Sequence, residues 1–382
     1  MKRANWVYLV ATTLVLSSGV SVAGARSRHH VRHSTIRSAQ HNDGDGQHND
    51  HDGDGTTTTH VTTTTRGTPT PRETTTTAVT TTTAASTTTT AATTTTLAPL
   101  PPPPPPPGGG AFLSYPHQSS PTSVSGSNVV VGNKSWVGFG SVALVVSNAH
   151  NVYLHDLDFD GNVGDIFLIN VTGNIRIENI RARNTGNGTI GSGHSNVIQF
   201  NNSWQGATDD GVNGVRNVKA LGGDTEDMIS VYKSGGTDAA HPLVLEDIHI
   251  ESPLSGSMAW SSGSGTGINL GDAGGHDIIL RNSTVLNAGA VGIQMNEPTR
   301  VRAMNNIVYG AARNTSNVGL SQWSSGSCSS CTGNAYLNNR VWWVKSSGSA
   351  SAMWLSHNYP VADVGNVKQD GSINPAALHV VL

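Results

Sequence analysis

Between residues 156 and 339 an Asn or Asp recurs beside a short apolar run, at positions 156, 179, 217, 247, 282, 306 and 339, separated by 23, 38, 30, 35, 24 and 33 residues. Each repeat opens with an apolar run such as Leu144-Val145-Val146, Val197-Ile198-Gln199-Phe200, Met228-Ile229-Ser230-Val231 or Val291-Gly292-Ile293-Gln294-Met295. A polar or glycine turn follows, then a second run such as Leu154-His155-Asp156-Leu157 or Leu245-Glu246-Asp247-Ile248. A shortest interval near 23, with longer ones absorbed in loops, is the pattern of a solenoid that takes its insertions on one face. The runs lack a helical period, and polar residues between the apolar ones give the period of two of a half-buried strand. Stacked in parallel about 4.8 Å apart, such runs build continuous apolar ladders inside. An Asn repeated at one turn can bond the backbone of the next coil. The expected class is therefore all-β: a right-handed, single-stranded parallel β-helix of roughly nine coils, a rod about 43 Å long at that spacing. A β-sandwich or propeller would need a regularly recurring hairpin signature, and none is present. With 44 Gly, 12% charged residues and 5% aromatics, the composition agrees.

Three segments follow from the remainder of the chain. Residues 1–25 read as a secretory signal peptide: Lys2 and Arg3 precede an apolar stretch from Trp6 to about Val20, then Ala23-Gly24-Ala25, with cleavage before Arg26. An uncleaved anchor is the alternative, but the stretch is short and interrupted by Thr12, Thr13, Ser17 and Ser18. Residues 26–110 read as a disordered linker. It begins with a His/Asp-rich run (41–55) that lacks the Glu closing a calcium-binding EF-hand loop. Next come 26 Thr in the 41 positions 56–96, then Pro101 to Pro107. A Thr/Pro tract of this kind is an extended, O-glycosylation-prone stalk with no apolar periodicity to build a core. Residues 111–382 are the β-helix domain. The expected location is extracellular, secreted or at the cell surface, with no membrane insertion after cleavage and a monomeric state. A formal charge of −3 without a basic patch excludes nucleic acid as the main partner.

Cys328 and Cys331 lie in a Gly/Ser loop, and in an exported chain a local disulfide is the first reading. A zinc site would need two more ligands nearby, and no metal centre is assigned.

The longest insertions fall between 183 and 215, 250 and 266, and 310 and 336. Residues projecting beside them form candidate columns: Asn202, then Glu226, Asp227 and Lys233, then Asp272, then Gln294, Asn296 and Glu297, then Trp323. Trp204, Trp260 and Trp323 lie on or beside the same loops. Aromatics bordering a polar groove suit a sugar, which has an apolar ring face and hydroxyls that need hydrogen bonds.

One of these coils carries a specific resemblance. Thr225-Glu226-Asp227-Met228-Ile229-Ser230-Val231-Tyr232-Lys233-Ser234-Gly235 looks like the Gly-Asp-Asp-Ala-Ile-Ala-Ile-Lys-Ser strand of polygalacturonase-type glycoside hydrolases, with one extra residue before the Lys. Gly265 to Asp272 is similar to their Gly-His-Gly-Ile-Ser-Ile-Gly-Ser, and Val291 to Asn296 to their Gly-Ile-Arg-Ile-Lys. The match spans roughly 195–300, within the broader pectate-lyase-like β-helix superfamily. The resemblance implies a polysaccharide partner, a uronate-containing one above all, with Glu226 and Asp227 as the acidic pair. The family's His falls on Thr266, its Arg on Gln294, its Lys on Asn296 and its earlier Asp near Asn196. Hydrolysis needs one carboxylic acid and one carboxylate. Lyase or epimerase chemistry needs a base beside a uronate whose charge is neutralised by a cation, calcium being the cofactor it would use. Lys233 is the first candidate base, ahead of Tyr232, His241, His276 and Arg313. The catalytic candidates are thus Glu226, Asp227 and Lys233. Asn202, Trp204, Asp272, Gln294, Asn296, Glu297 and Trp323 are the substrate-binding ones. A non-catalytic glycan-binding or adhesion module is the alternative reading.

Overall fold

The computed structural model describes residues 111–186, 195–254 and 265–382 except 325, 327 and 357. The expected signal peptide, the expected linker and Trp260 lie outside the described residues. Every paired strand is parallel, apart from two isolated antiparallel bridges, and the strands form one sheet wound into a β-helix. Among the described residues nine coils can be followed, beginning at 122, 142, 164, 198, 227, 266, 291, 318 and 353.

Each coil presents three faces. The first stacks Gly164–Ile169, Ile198–Asn201, Asp227–Tyr232, Thr266–Asp272, Val291–Asn296, Val318–Trp323 and Met353–Leu355. The second includes His276–Arg281, Thr299–Met304, Asn334–Leu337 and Val361–Val364. The third includes Thr284–Leu286, Ile307–Gly310, Arg340–Trp343 and Val367–Lys368. In the early coils one long strand bends across faces, as Val142–Asp160 does.

The core is the set of ladders that the apolar runs imply. Ile166, Ile198, Ile229, Ile268, Ile293 and Leu320 stand in register on the first face, and all are fully buried. Identical branched side chains at one coil spacing leave no gap to fill. Trp136 stacks on Phe159 at 5.0 Å at one end, and Trp343 and Tyr336 fill the interior near the other.

Two corners explain the recurring Asn and Asp. Between the second and third faces, Asp156, Asn179, Asn217, Asp247 and Asn282 adopt φ of 50–57°. Asn and Asp tolerate this left-handed conformation better than other non-glycine residues. Their side chains also bond coil to coil: Asn179 Nδ2 donates to Asp156 Oδ1 at 3.0 Å and Asn217 Nδ2 to Asn179 Oδ1 at 2.7 Å. In the later coils Asn305 and Asn338 hold the left-handed corner, one residue before the expected Asn306 and Asn339. Those two point inward and are buried. Asn306 N donates to Asn339 Oδ1 at 3.0 Å, and Asn339 Nδ2 donates to Ala303 O at 2.9 Å. The corner between the first and second faces carries a second ladder of left-handed residues: Asn148, Asn170, Asn202, Lys233 and Glu297.

Candidate functional site

The outward surface of the first face gathers the acidic candidates. Glu226 is exposed at the entry to its strand, whereas Asp227 is only 7% exposed. Asp227 Oδ2 accepts from Asn269 Nδ2 of the next coil at 3.1 Å, and Thr266 adds a further side-chain bond. Burial pushes the Asp227 carboxyl up to about 7, against the pull of those bonds, and the charges of Glu226 and Asp272 push the same way. Asp272 is raised as well, first by burial and then by the charge of Glu226. Its Oδ1 accepts from Asn296 Nδ2 at 2.5 Å. Asp227 and Asp272 are therefore both harder to ionise than a solvated carboxyl.

Beside them run unsatisfied acceptors. Asn196 Oδ1, Gln199 Oε1 and Asn269 Oδ1 are buried with no donor among the described residues. Gln199, Ser230, Asn269, Gln294 and Ser321 occupy one register column on five successive coils. Buried amide oxygens without a donor are costly, and a ligand's hydroxyls would satisfy them.

The structure sorts the other candidates differently. Lys233 follows the end of the strand that Asp227 opens, on the side of Asp272. Lys233 sits in the corner ladder with φ 46°, its Nζ 5.1 Å from the Tyr232 ring, where its charge is felt by Asp272. Asn202 belongs to the same ladder and donates to Asn170 Oδ1 at 2.8 Å. Glu297, φ 58°, accepts from Ser324 Oγ at 3.0 Å. Trp204 lies round the corner on the second face, stacked on His276 at 4.6 Å, and does not join the acidic cluster. Trp323 is exposed beside Asn296 on the first face. His276 bonds Asp277 and His241 bonds Asp238, each at 2.8 Å, and Arg313 donates to Asn287 O at 2.7 Å. Cys328 and Cys331 are joined in the loop after Trp323, with Cα atoms 5.3 Å apart. Trp354, on the column of Ser321, was not singled out by sequence because its strand has only three residues. A cavity of about 250 Å³ opens on the second face, lined by Pro242, Asp277, Ile279, Arg300 and Arg302 among others, away from the acidic cluster. Among the described residues no group of three or more His, Cys, Asp or Glu is arranged to hold a metal ion.

No family model and no curated protein matches the chain. Two solved structures do, both of the catalytic domain of a GH87 alpha-1,3-glucanase in complex with tetrasaccharides. Each is 16% identical, with TM-scores of 0.33 and 0.30, and the match covers 63% of this chain. The chain spans about half the length of the structures it matches, 50% and 49%.

Near neutrality also matters where no chemistry is assigned. Asp165 is fully buried, accepts from Thr185 Oγ1 at 2.6 Å and Asn162 Nδ2 at 3.1 Å, and burial still raises it to about 7. The folded state then holds a proton that the unfolded chain releases near 4, so stability falls as pH rises from about 4 to about 7. Raising a carboxyl this far corresponds to up to about 4 kcal/mol. Asp165→Asn, which copies the protonated form, is expected to raise Tm at pH 8 and to leave it unchanged at pH 3. Thermal melts of both proteins across that range measure it, and an equal gain at both pH values would contradict the assignment.

Proposed function

We propose that this is an exported protein that hydrolyses a glycosidic bond of a neutral polysaccharide on the first face of its β-helix. The observation that carries the reading is Asp227: a carboxyl held near neutrality by burial, next to other carboxylates and to amide oxygens that lack donors. In this scheme protonated Asp227 donates to the glycosidic oxygen as the bond to the anomeric carbon breaks. Glu226, exposed beside it, takes a proton from the attacking water, whose oxygen forms the new bond. Proton exchange with solvent then restores both groups. The resemblance of Thr225–Gly235 to the polygalacturonase strand supports a glycoside hydrolase. A uronate substrate is disfavoured on electrostatic grounds, because Glu226, Asp227, Asp272 and Glu297 outnumber Lys233 there. The substitution of the family's His, Arg and Lys by Thr266, Gln294 and Asn296 supports a second reading, a glycan-binding module without turnover.

The test incubates the mature chain with neutral polysaccharides and with polygalacturonate, with and without calcium. Reducing ends are followed beside absorbance near ~235 nm, where the alkene left by proton abstraction and elimination absorbs. Reducing ends from a neutral glycan without absorbance are expected. Rising absorbance from polygalacturonate would replace the reading with a lyase, and silence in both channels would replace it with the binding module.

A further inference from the structure

Two large indoles are exposed on the same face as the acidic cluster, one coil apart. Trp323 is 43% and Trp354 49% exposed, while nearly every other aromatic side chain of the later coils is at least partly buried. Leu320 and Met353 are paired and face the interior, so Trp354, one residue on, projects outward, as do Ser321 and Trp323. Ser321 pairs with Trp354, which places the two tryptophans on a diagonal two residues and one coil apart, about 8 Å between Cα atoms. Polar groups border them. Asn296 pairs with Trp323, Gln294 pairs with Ser321, and Ser321 Oγ is buried without a partner among the described residues.

The strand end beneath Trp323 is held rigidly. Gln322 Nε2 donates to Tyr359 O at 2.6 Å, and the Tyr359 hydroxyl lies 2.9 Å from Met295 O and 3.4 Å from Trp323 O. Glu297 N donates to that same hydroxyl at 3.3 Å. A platform whose backbone is already fixed loses little entropy when a ligand docks on it.

We propose that Trp323 and Trp354 form a two-indole platform that binds a neutral polysaccharide chain lying along the rod axis, extending the site of Asp227 toward the C-terminal coils. The inference rests on the proposed function for the direction of that chain. An apolar ring face stacks on an indole, and the hydroxyls around it need the acceptors that Ser321, Gln294 and Asn269 supply. A charged chain is not the occupant, because no described Lys or Arg lies among these outward residues while Glu297 and Asp272 stand beside them.

The experiment is affinity electrophoresis of the full chain through gels containing dextran, mixed-linkage β-glucan, galactomannan or polygalacturonate. It is run on the wild type, Trp323→Ala, Trp354→Ala and the double variant, with circular dichroism melts confirming that each retains the wild-type Tm. Retardation by at least one neutral glycan is expected, weakened about tenfold by either single substitution and abolished in the double variant. Assaying the wild type for cleavage of the same glycan separates this inference from the reaction: binding that depends on the tryptophans in a wild-type protein that never cleaves overturns the hydrolase and leaves the platform standing. No retardation by any neutral glycan, or retardation indifferent to both tryptophans, overturns the platform. So does a dimer by light scattering that Trp354→Ala converts to monomer, since a second copy of the chain would then be the occupant.

Discussion

Asp227→Asn is expected to lower the rate of glycan cleavage by about 10³-fold or more while leaving the protein folded and, at pH 8, more stable than the wild type. The two effects share one cause. Asn copies the protonated carboxyl, keeps an oxygen to accept from Asn269 Nδ2, and removes the penalty of ionising a buried group beside Glu226 and Asp272. It also removes the transferable proton, and general acid catalysis is typically responsible for 10²–10⁴ in rate. Because the folded-state value is raised to about 7, the acid form is lost as pH rises through that region, so wild-type activity falls there on the alkaline side. The comparison with Asp165→Asn makes the outcome specific. Both substitutions are expected to stabilise at high pH, but Asp165 is sealed between Thr185 and Asn162 and its replacement is expected to leave cleavage rates within about twofold. Initial rates and thermal melts of the two variants, taken from pH 4 to 9, check all of this. Equal loss of activity in both would mean that burial, not chemistry, distinguishes Asp227. A gain in activity or a fall in stability at Asp227 would sink the assignment outright.

The fold could be read from the sequence because its repeating unit is local. A corner that needs left-handed φ selects Asn or Asp in successive coils, and beside Asp156, Asn179, Asn217 and Asp247 the flanking branched apolar residues face inward. The spacing misplaces Asn306 and Asn339 by one residue for an equally local reason. Asn305-Asn306 and Asn338-Asn339 are doublets, with the first residue in the corner and the second in the core, and a composition pattern does not tell the two roles apart. The site is less legible because its chemistry is made between coils. Asp227 owes its near-neutral carboxyl to burial between coils, aided by the charges of Glu226 and Asp272 and only partly offset by the bonds from Asn269 and Thr266, about 40 residues downstream. Conversely, Lys233 and Glu297 look like functional charges in one dimension but occupy the left-handed corner that Asn148, Asn170 and Asn202 hold in earlier coils. Trp354 is set beside Trp323 only by three-dimensional register.

The interior of the later coils makes the second large prediction. Gly267, Gly292 and Gly319 form a register column on the first face, and they bring its backbone close to side chains of the third. A Cβ on Gly292 would lie 2.4 Å from Val308 Cγ1, 2.5 Å from Gly319 O and 3.2 Å from Trp343 Cζ3. Val308 could turn aside, but the Gly319 carbonyl belongs to the ladder that joins two coils and cannot move without parting the strands. Gly292→Val therefore places three carbons where none fits, which exceeds the usual 1–3 kcal/mol cost of an overpacked core. A loss of about 4 kcal/mol and a fall in Tm of about 10 °C are expected. Gly140→Ala, at a position where a Cβ meets nothing within 4 Å, serves as the neutral control. The damage should reach function as well as stability, since Gln294 and Asn296 follow on the same strand and Asn296 bonds Asp272. Urea titrations of both variants measure the first effect and cleavage assays the second. A Gly292→Val protein with the wild-type midpoint would show that the two faces are not held at the separation described.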